Sequence, residues 1–270
     1  RDMLVKASIP ITSGFEDTTT TYTNAGKVRN QGIEMSLHTI NLTGELGWET
    51  NLTATYNKNK IKDLNSDVPY YINQINNSYV TMLAKDYPIN VFYGYVTDGI
   101  FQNQSEVNTH AVQPGAEPGD IRFIDQNGDG MLDTNDRVKV GSGTPKVSLG
   151  FNINLAYKDF DLVANFYGDF GAKRYNYTKY QLERMDHVFN YGKNALNAWT
   201  PENPDTDIPR AVSGDPNKNS RTSTRFVENG DYLRLNNLQI GYNLPVKYCK
   251  KMGLSNLRIY VGATRLFTIT

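Results

Sequence analysis

The stretch "ELGWETNLTATYNKNK" alternates with a period of two. Leu46, Trp48, Leu52, Ala54 and Tyr56 share one face with Thr50, while Glu49, Asn51, Thr53, Thr55 and Asn57 take the other. Side chains of an extended chain point to opposite faces in turn, so this spacing specifies a strand with one apolar and one wet face. The pattern comes in pairs. "IEMSLHTINL" precedes it across a turn at Gly44, "KVSLGFNINLAY" and "DFDLVANFYGDF" are separated only by Lys158 and Asp159, and "DYLRLNNLQIGYNLP" meets "NLRIYVGATRLFTI" through "VKYCKKMGLS". "DMLVKASIP" opens the chain as a seventh strand, and residues 10 to 31 read as the loop that follows it.

The connections constrain the architecture further, because short ones alternate strictly with long ones. Residues 60–145 and 171–230 are two very long excursions, and loops of that length are uncommon unless they carry function. Short turns at one end of a sheet and long loops at the other are the layout of an outer-membrane barrel, with the long loops outside the cell. The strand lengths suit a tilted crossing of a ~25 Å apolar band. Tyr157, Phe160, Phe170, Tyr242, Tyr260 and Phe267 fall near strand ends, where interfacial girdles sit. The expected fold class is all-β: a segment of an antiparallel transmembrane β-barrel with long extracellular loops. Seven strands cannot close a wide pore and an open edge cannot lie in lipid, so the rest of the wall is expected in a longer parent chain. A start at Arg1 without Met and a stop within the strand-like "RLFTIT" read the same way.

No window approaches the roughly 18 consecutive apolar residues of a spanning helix, a test that is blind to barrels. With 28 basic and 28 acidic side chains there is no charge excess to attract nucleic acid. Cys249 is the only cysteine, so neither a disulfide nor a thiolate metal site forms within the chain. His38, His110 and His187 are scattered without paired spacing, and no Walker loop, nucleophile elbow or Rossmann fingerprint occurs. The chain is not expected to be an enzyme.

Two motifs invite chemistry. "FIDQNGDGMLDTND", residues 123–136, follows the calcium-loop template D-x-[DN]-x-[DN]-G-x5-E except at its last place, where Asp136 replaces Glu. Calcium takes six to eight oxygens, and these would come from Asp125, Asn127, Asp129, the Met131 carbonyl, Asp133 or its water, and Asp136, with Gly130 at the sharp turn. The competing reading is an Asx- and Gly-rich turn whose side chains bond their own backbone. The second motif is the ring-rich stretch from Tyr175 to Trp199, with Tyr177, Tyr180, Phe189 and Tyr191 between them. Its first half has helical spacing at Tyr180, Met185 and Val188, so a small amphipathic helix is one reading. Exposed rings beside Asn and Asp that stack on a sugar or hold a peptide are the other, with Tyr175, Tyr177, Tyr180, Tyr191 and Trp199 as the contact residues.

Six blocks in order, "NAGKVRNQGIEMSL", "GELGWETNLTATYNKNKI", "FYGYVTDGIFQNQSE", "PGDIRFIDQNGDGMLDTNDRVKVGSGTPKVSLGFN", "AWTPENPDTDIPR" and "NGDYLRLNNLQIGYNLP", resemble the C-terminal barrel region of SusC/RagA-type TonB-linked outer-membrane proteins. The resemblance covers nearly the whole chain. It implies a share in a plugged 22-stranded barrel that imports glycans or peptides across the outer membrane of Gram-negative, Bacteroidetes-like bacteria. It also implies a SusD-like lipoprotein lid, TonB as the source of energy through an upstream region, and lipid around the wall. The acidic loop, residues 125–136, would staple the first extracellular excursion. The alternative function is a secreted or surface β-rich binding module with a dockerin-like calcium loop.

Overall fold

The structure is a computed structural model describing residues 2–8, 20–64, 69–75, 78–186 and 190–270. His187, Val188 and Phe189 lie outside the described residues. In chain order the first strands are β1 (Asp2–Ser8), β2 (Thr20–Leu42), β3 (Leu46–Asp63), β4 (Tyr70–Ile75), β5 (Ser78–Leu83), β6 (Val91–Gly94) and β7 (Thr97–Ile100). Helix α1 (Gln104–Thr109), β8 (Ile121–Phe123), β9 (Val138–Ser142), β10 (Val147–Tyr157), β11 (Phe160–Phe170) and β12 (Lys173–Tyr175) follow. Then come α2 (Tyr177–Glu183), β13 (Val227–Asn229), β14 (Tyr232–Asn243), α3 (Val246–Lys251) and β15 (Arg258–Ile269). No described helix is long and apolar enough to cross a membrane, which says nothing of strands.

The long strands form one antiparallel sheet in the order β1-β2-β3-β10-β11-β14-β15. β2 starts at Thr20, so the loop expected up to residue 31 is corrected: its second half, rich in β-favouring Thr and Tyr, extends the strand. The chain divides into two compact units, one of residues 30–59, 144–172 and 230–270, the other of residues 1–29, 60–143 and 173–229.

The first of these units is a wall of strands. Its register follows from the alternation, since slipping by one residue would invert every face. Leu149 pairs with Ala54, Phe151 with Leu52 and with Phe166, and Leu155 with Trp48 and with Leu162. One face is therefore continuously apolar across strands, and it is open: Ile33 is 74% exposed, Ile240 51% and Val261 78%. Such contiguous apolar surface is foreign to a protein dissolved in water. Two hydroxyls on that face, Thr39 and Thr50, bond each other at 2.5 Å and so need no water. The opposite face is polar. There the register sets Asn51 beside Asn152, Asn152 beside Asn165 and Asn165 beside Asn237, a row of carboxamides across four strands. β11 to β14 pairing shifts immediately after that row, where Asn236 bulges.

The tight connection between β10 and β11 holds Lys158 at a φ of 54°. Phe160 and Tyr242 pack nearby at a tilt, with ring centroids 4.8 Å apart.

The second unit carries its own short sheets, β4-β5-β6-β9, β7-β8 and β12-β13. Small apolar clusters sit beneath them: Ile61, Leu64 and Leu83; Met82, Ala84 and Val91; and Ile121, Phe123 and Leu132. The long excursions are thus folded, with strands where "IRF" and "RVKV" flank the acidic loop.

Candidate functional site

Buried polar side chains fix the second unit. Asp120 is fully buried and receives Arg210 through two bonds, Nε to Oδ1 and Nη2 to Oδ2, each 3.0 Å. Asn219 donates to the same carboxylate at 2.9 Å, and the Glu117 amide also donates at 2.9 Å. Asn219 Oδ1 accepts from the Ile121 amide at 2.8 Å, while Asn217 donates to the Ile121 carbonyl at 3.0 Å. Gln113 completes the set by donating to the Ile121 carbonyl and accepting from the Phe123 amide. A carboxylate buried this way is stable only when paired and hydrogen-bonded throughout, as Asp120 is. Arg210 is correspondingly held above its ordinary value, first by the Asp120 hydrogen bond. The sequence reading passed over this cluster, whose partners lie some 90 residues apart.

The acidic loop is shaped by its own hydrogen bonds. Asp125 accepts from the Gly128 and Gly130 amides at 2.7 and 2.8 Å, Asn127 from the Asp129 amide at 3.0 Å, and Asp129 from the Met131 amide at 2.9 Å. Gly130 adopts a φ of 84°, which lets the chain turn without strain. Asp133 caps a short 3-10 turn, and Asp136 faces inward, fully buried, accepting from the Gln126 and Asp133 amides at 2.8 Å each. Among the described residues no three carboxylates, imidazoles or thiolates converge as a metal cage. Asp125 is held below the ordinary aspartate value, chiefly by the Gly130 amide.

The five candidate contact rings divide. Tyr180 and Trp199 point inward, 3% and 9% exposed. Tyr180 packs edge-on against the buried Phe226, with centroids 5.2 Å apart. Trp199 donates Nε1 to Gln102 at 3.0 Å and lies against Gly119, where any Cβ would come within 2.4 Å of the indole. Tyr175 is half-buried beside Phe226, and burial raises its phenol well above the usual range. Tyr177 and Tyr191 point outward, 48% and 37% exposed, with Tyr177 stacked on Tyr180.

Beside these rings a cleft of about 590 Å³ opens between α2 and the 3-10 turn Lys193–Asn197. Asn176 caps α2 by accepting from the Lys179 amide and donates to Glu228 at 2.8 Å. Glu183, almost fully buried, receives Asn194 and Arg225, each at 2.9 Å. Burial draws the Arg225 guanidinium below its ordinary value, with the Glu183 charge opposing that. Leu182 and Ile208 supply an apolar strip. Lys179 and Lys193 line the cleft with Glu183, Asp207 and Glu228, and because Glu183 is paired with Arg225 and Glu228 with Lys179, the cleft has donors and acceptors without a dominant sign. That lining suits a neutral, hydroxyl- or amide-rich ligand rather than an ion. Leu196, 91% exposed on the same 3-10 turn, was absent from the expected contacts because a single Leu in a polar stretch carries no periodic signal.

No family model matches the chain. It is 33% identical over its whole length to a TonB-dependent receptor of Formosa agariphila, covering 27% of that protein. A second TonB-dependent receptor from that organism is also 33% identical, over 98% of the chain. TonB-dependent receptor SusC of Bacteroides thetaiotaomicron is 26% identical over 90% of the chain and 23% of its own length. Among solved structures, the RagAB peptide transporter superposes with a TM-score of 0.79 at 26% identity, covering all of this chain and 28% of that one. The chain spans about a quarter of the length of the relatives it matches.

Proposed function

We propose that this chain is a barrel segment of a SusC/RagA-type TonB-dependent receptor and forms part of the wall and outer loops of an outer-membrane nutrient importer. The observation that carries the reading is the open apolar face of the wall, on strands of 11 and 12 residues, the length that crosses a bilayer at a tilt. Its polar reverse, with the asparagine row, faces the lumen. Residues 60–145 and 171–230 are its extracellular loops, and they carry the cleft beside Tyr177.

A SusD-like lipoprotein is the partner for the exposed Tyr177, Tyr191 and Leu196, and TonB drives transport through the parent protein. The cleft's balanced lining supports an oligosaccharide or peptide as cargo. The acidic loop acts as a strut. Ca2+ would take oxygens of Asp125, Asn127, Asp129, the Met131 carbonyl and Asp133 and reinforce a turn whose hydrogen bonds already define it, whereas Asp136, expected to close the shell, turns its two oxygens onto the Gln126 and Asp133 amides. Deletion of the parent gene, complemented with wild-type or Tyr177→Ala/Leu196→Ser receptor, tests the reading. Growth on the cognate oligosaccharide or peptide mixture should be lost in the deletion and weakened by the double variant. Undiminished uptake in the deletion would refute an import role.

A further inference from the structure

The connection between β14 and β15 is built unlike a simple turn. Pro245 starts α3, Cys249 is fully buried with its thiol against the Leu244 carbonyl, and the Leu254 amide returns to the Cys249 carbonyl at 3.0 Å. The Leu244 amide meets the Leu257 carbonyl at 2.8 Å and closes the base. This self-contained fold nevertheless turns its larger apolar side chains outward: Val246 is 58% exposed, Tyr248 51%, Met252 53% and Leu254 42%. Lys247, Lys250 and Lys251 are interleaved with them, exposed, and without an ion pair among the described residues. An excursion meant for water has no reason to expose four apolar side chains, and one meant for a protein core has no use for three free ammonium groups.

The register places this connection at the sheet edge where the chain also turns at Gly44 and at Lys158–Asp159, since Tyr157 faces Leu46 and Phe160 faces Tyr242. Trp48, Tyr157, Phe160 and Tyr242 line that edge, and Lys158 lies over the Tyr157 ring at 5.2 Å. The exposed side chains of α3 therefore lie at the same end of the wall as this aromatic belt. Interleaved apolar and cationic groups at that depth match the bilayer boundary, where rings and aliphatic chains enter the acyl edge and ammonium groups meet phosphates.

We propose that residues 245–254 form an interfacial foot that binds the phosphate-bearing headgroups of anionic phospholipid and fixes the depth of the wall in the bilayer. The proposal rests on the barrel reading above. The test uses the full-length receptor in vesicles of phosphatidylcholine with increasing phosphatidylglycerol. An environment-sensitive fluorophore is placed at Tyr248→Cys or, as a control on the wall, at Ile240→Cys. The label at residue 248 should report an apolar, iodide-shielded setting whose midpoint in phosphatidylglycerol moves at least fivefold higher with Lys247→Gln/Lys250→Gln/Lys251→Gln, the factor that about one surface lysine supplies. The triple Lys→Arg variant should restore it. An apolar setting at residue 240 with a water-like one at 248, or an unmoved midpoint in the triple Gln variant, overturns the foot while leaving the barrel. A water-like setting at residue 240 overturns both.

Discussion

Arg210 grips Asp120 through two parallel 3.0 Å hydrogen bonds, joining the first long excursion to the second. Arg210→Ala would strand a fully buried carboxylate, at a cost of about 3–5 kcal/mol to the folded loops. Faster limited proteolysis between residues 100 and 220, with the wall still heat-resistant, is the expected readout. Arg210→Lys should recover only part of the protection, because an ammonium cannot make the parallel pair. Protection equal to wild type in Arg210→Ala would show that the clamp does not hold these loops.

The acidic loop should respond more to its own carboxylates than to chelation. Asp125→Ala with Asp129→Ala removes acceptors from the Gly128, Gly130 and Met131 amides and should expose residues 125–136 to protease, with barrel insertion intact. A chelator should leave wild-type cleavage nearly unchanged. If chelation alone reproduces the double substitution, calcium rather than hydrogen bonding sets the loop.

The same loop has a signed pH dependence. Asp125 is more acidic when folded than its ordinary value of 3.8, so its contribution is fully present above that value and is lost only as pH falls through the lower folded one. Loop protection followed by hydrogen exchange should be flat from pH 7 down to 5 and decline below 3.8. A decline centred near pH 6 would point to a group other than Asp125.

Trp199 and Tyr177 should separate stability from binding. Trp199→Ala opens a cavity against Gly119 and frees Gln102, and should cost about 3–5 kcal/mol. Tyr177→Ala removes an exposed ring and should leave the melting temperature within a degree or two while weakening lid or cargo binding. Equal destabilisation by both would mean that the outward ring is structural.

Much of the wall was legible in the sequence because a period of two is a local property: Leu149, Phe151 and Ile153 declare their face without reference to any partner. The start of β2 was missed because Thr20 to Ile33 shows no strong alternation. The clamp at Asp120 was invisible for a different reason, since its partners converge only after both excursions fold, and Asp, Asn and Arg in turn-rich stretches read locally as turn formers. The rings of the second excursion were visible as a group, but which of them face inward depends on Phe226, which seats Tyr180, and on Gly119, which lies against Trp199, each distant in sequence from the ring it meets.

Residue-by-residue cysteine scanning along β10, positions 147 to 157, in the receptor embedded in its bilayer tests the central claim, that lipid covers the apolar face. Cys249 is buried and should stay silent. Spin labels at Leu149, Phe151 and Ile153 should be relaxed by dissolved oxygen, and those at Ser148, Asn152 and Asn154 by a water-soluble nickel chelate, with a clean period of two. Labels at Leu149, Phe151 and Ile153 that the nickel chelate reaches as readily as Asn152 would contradict the account.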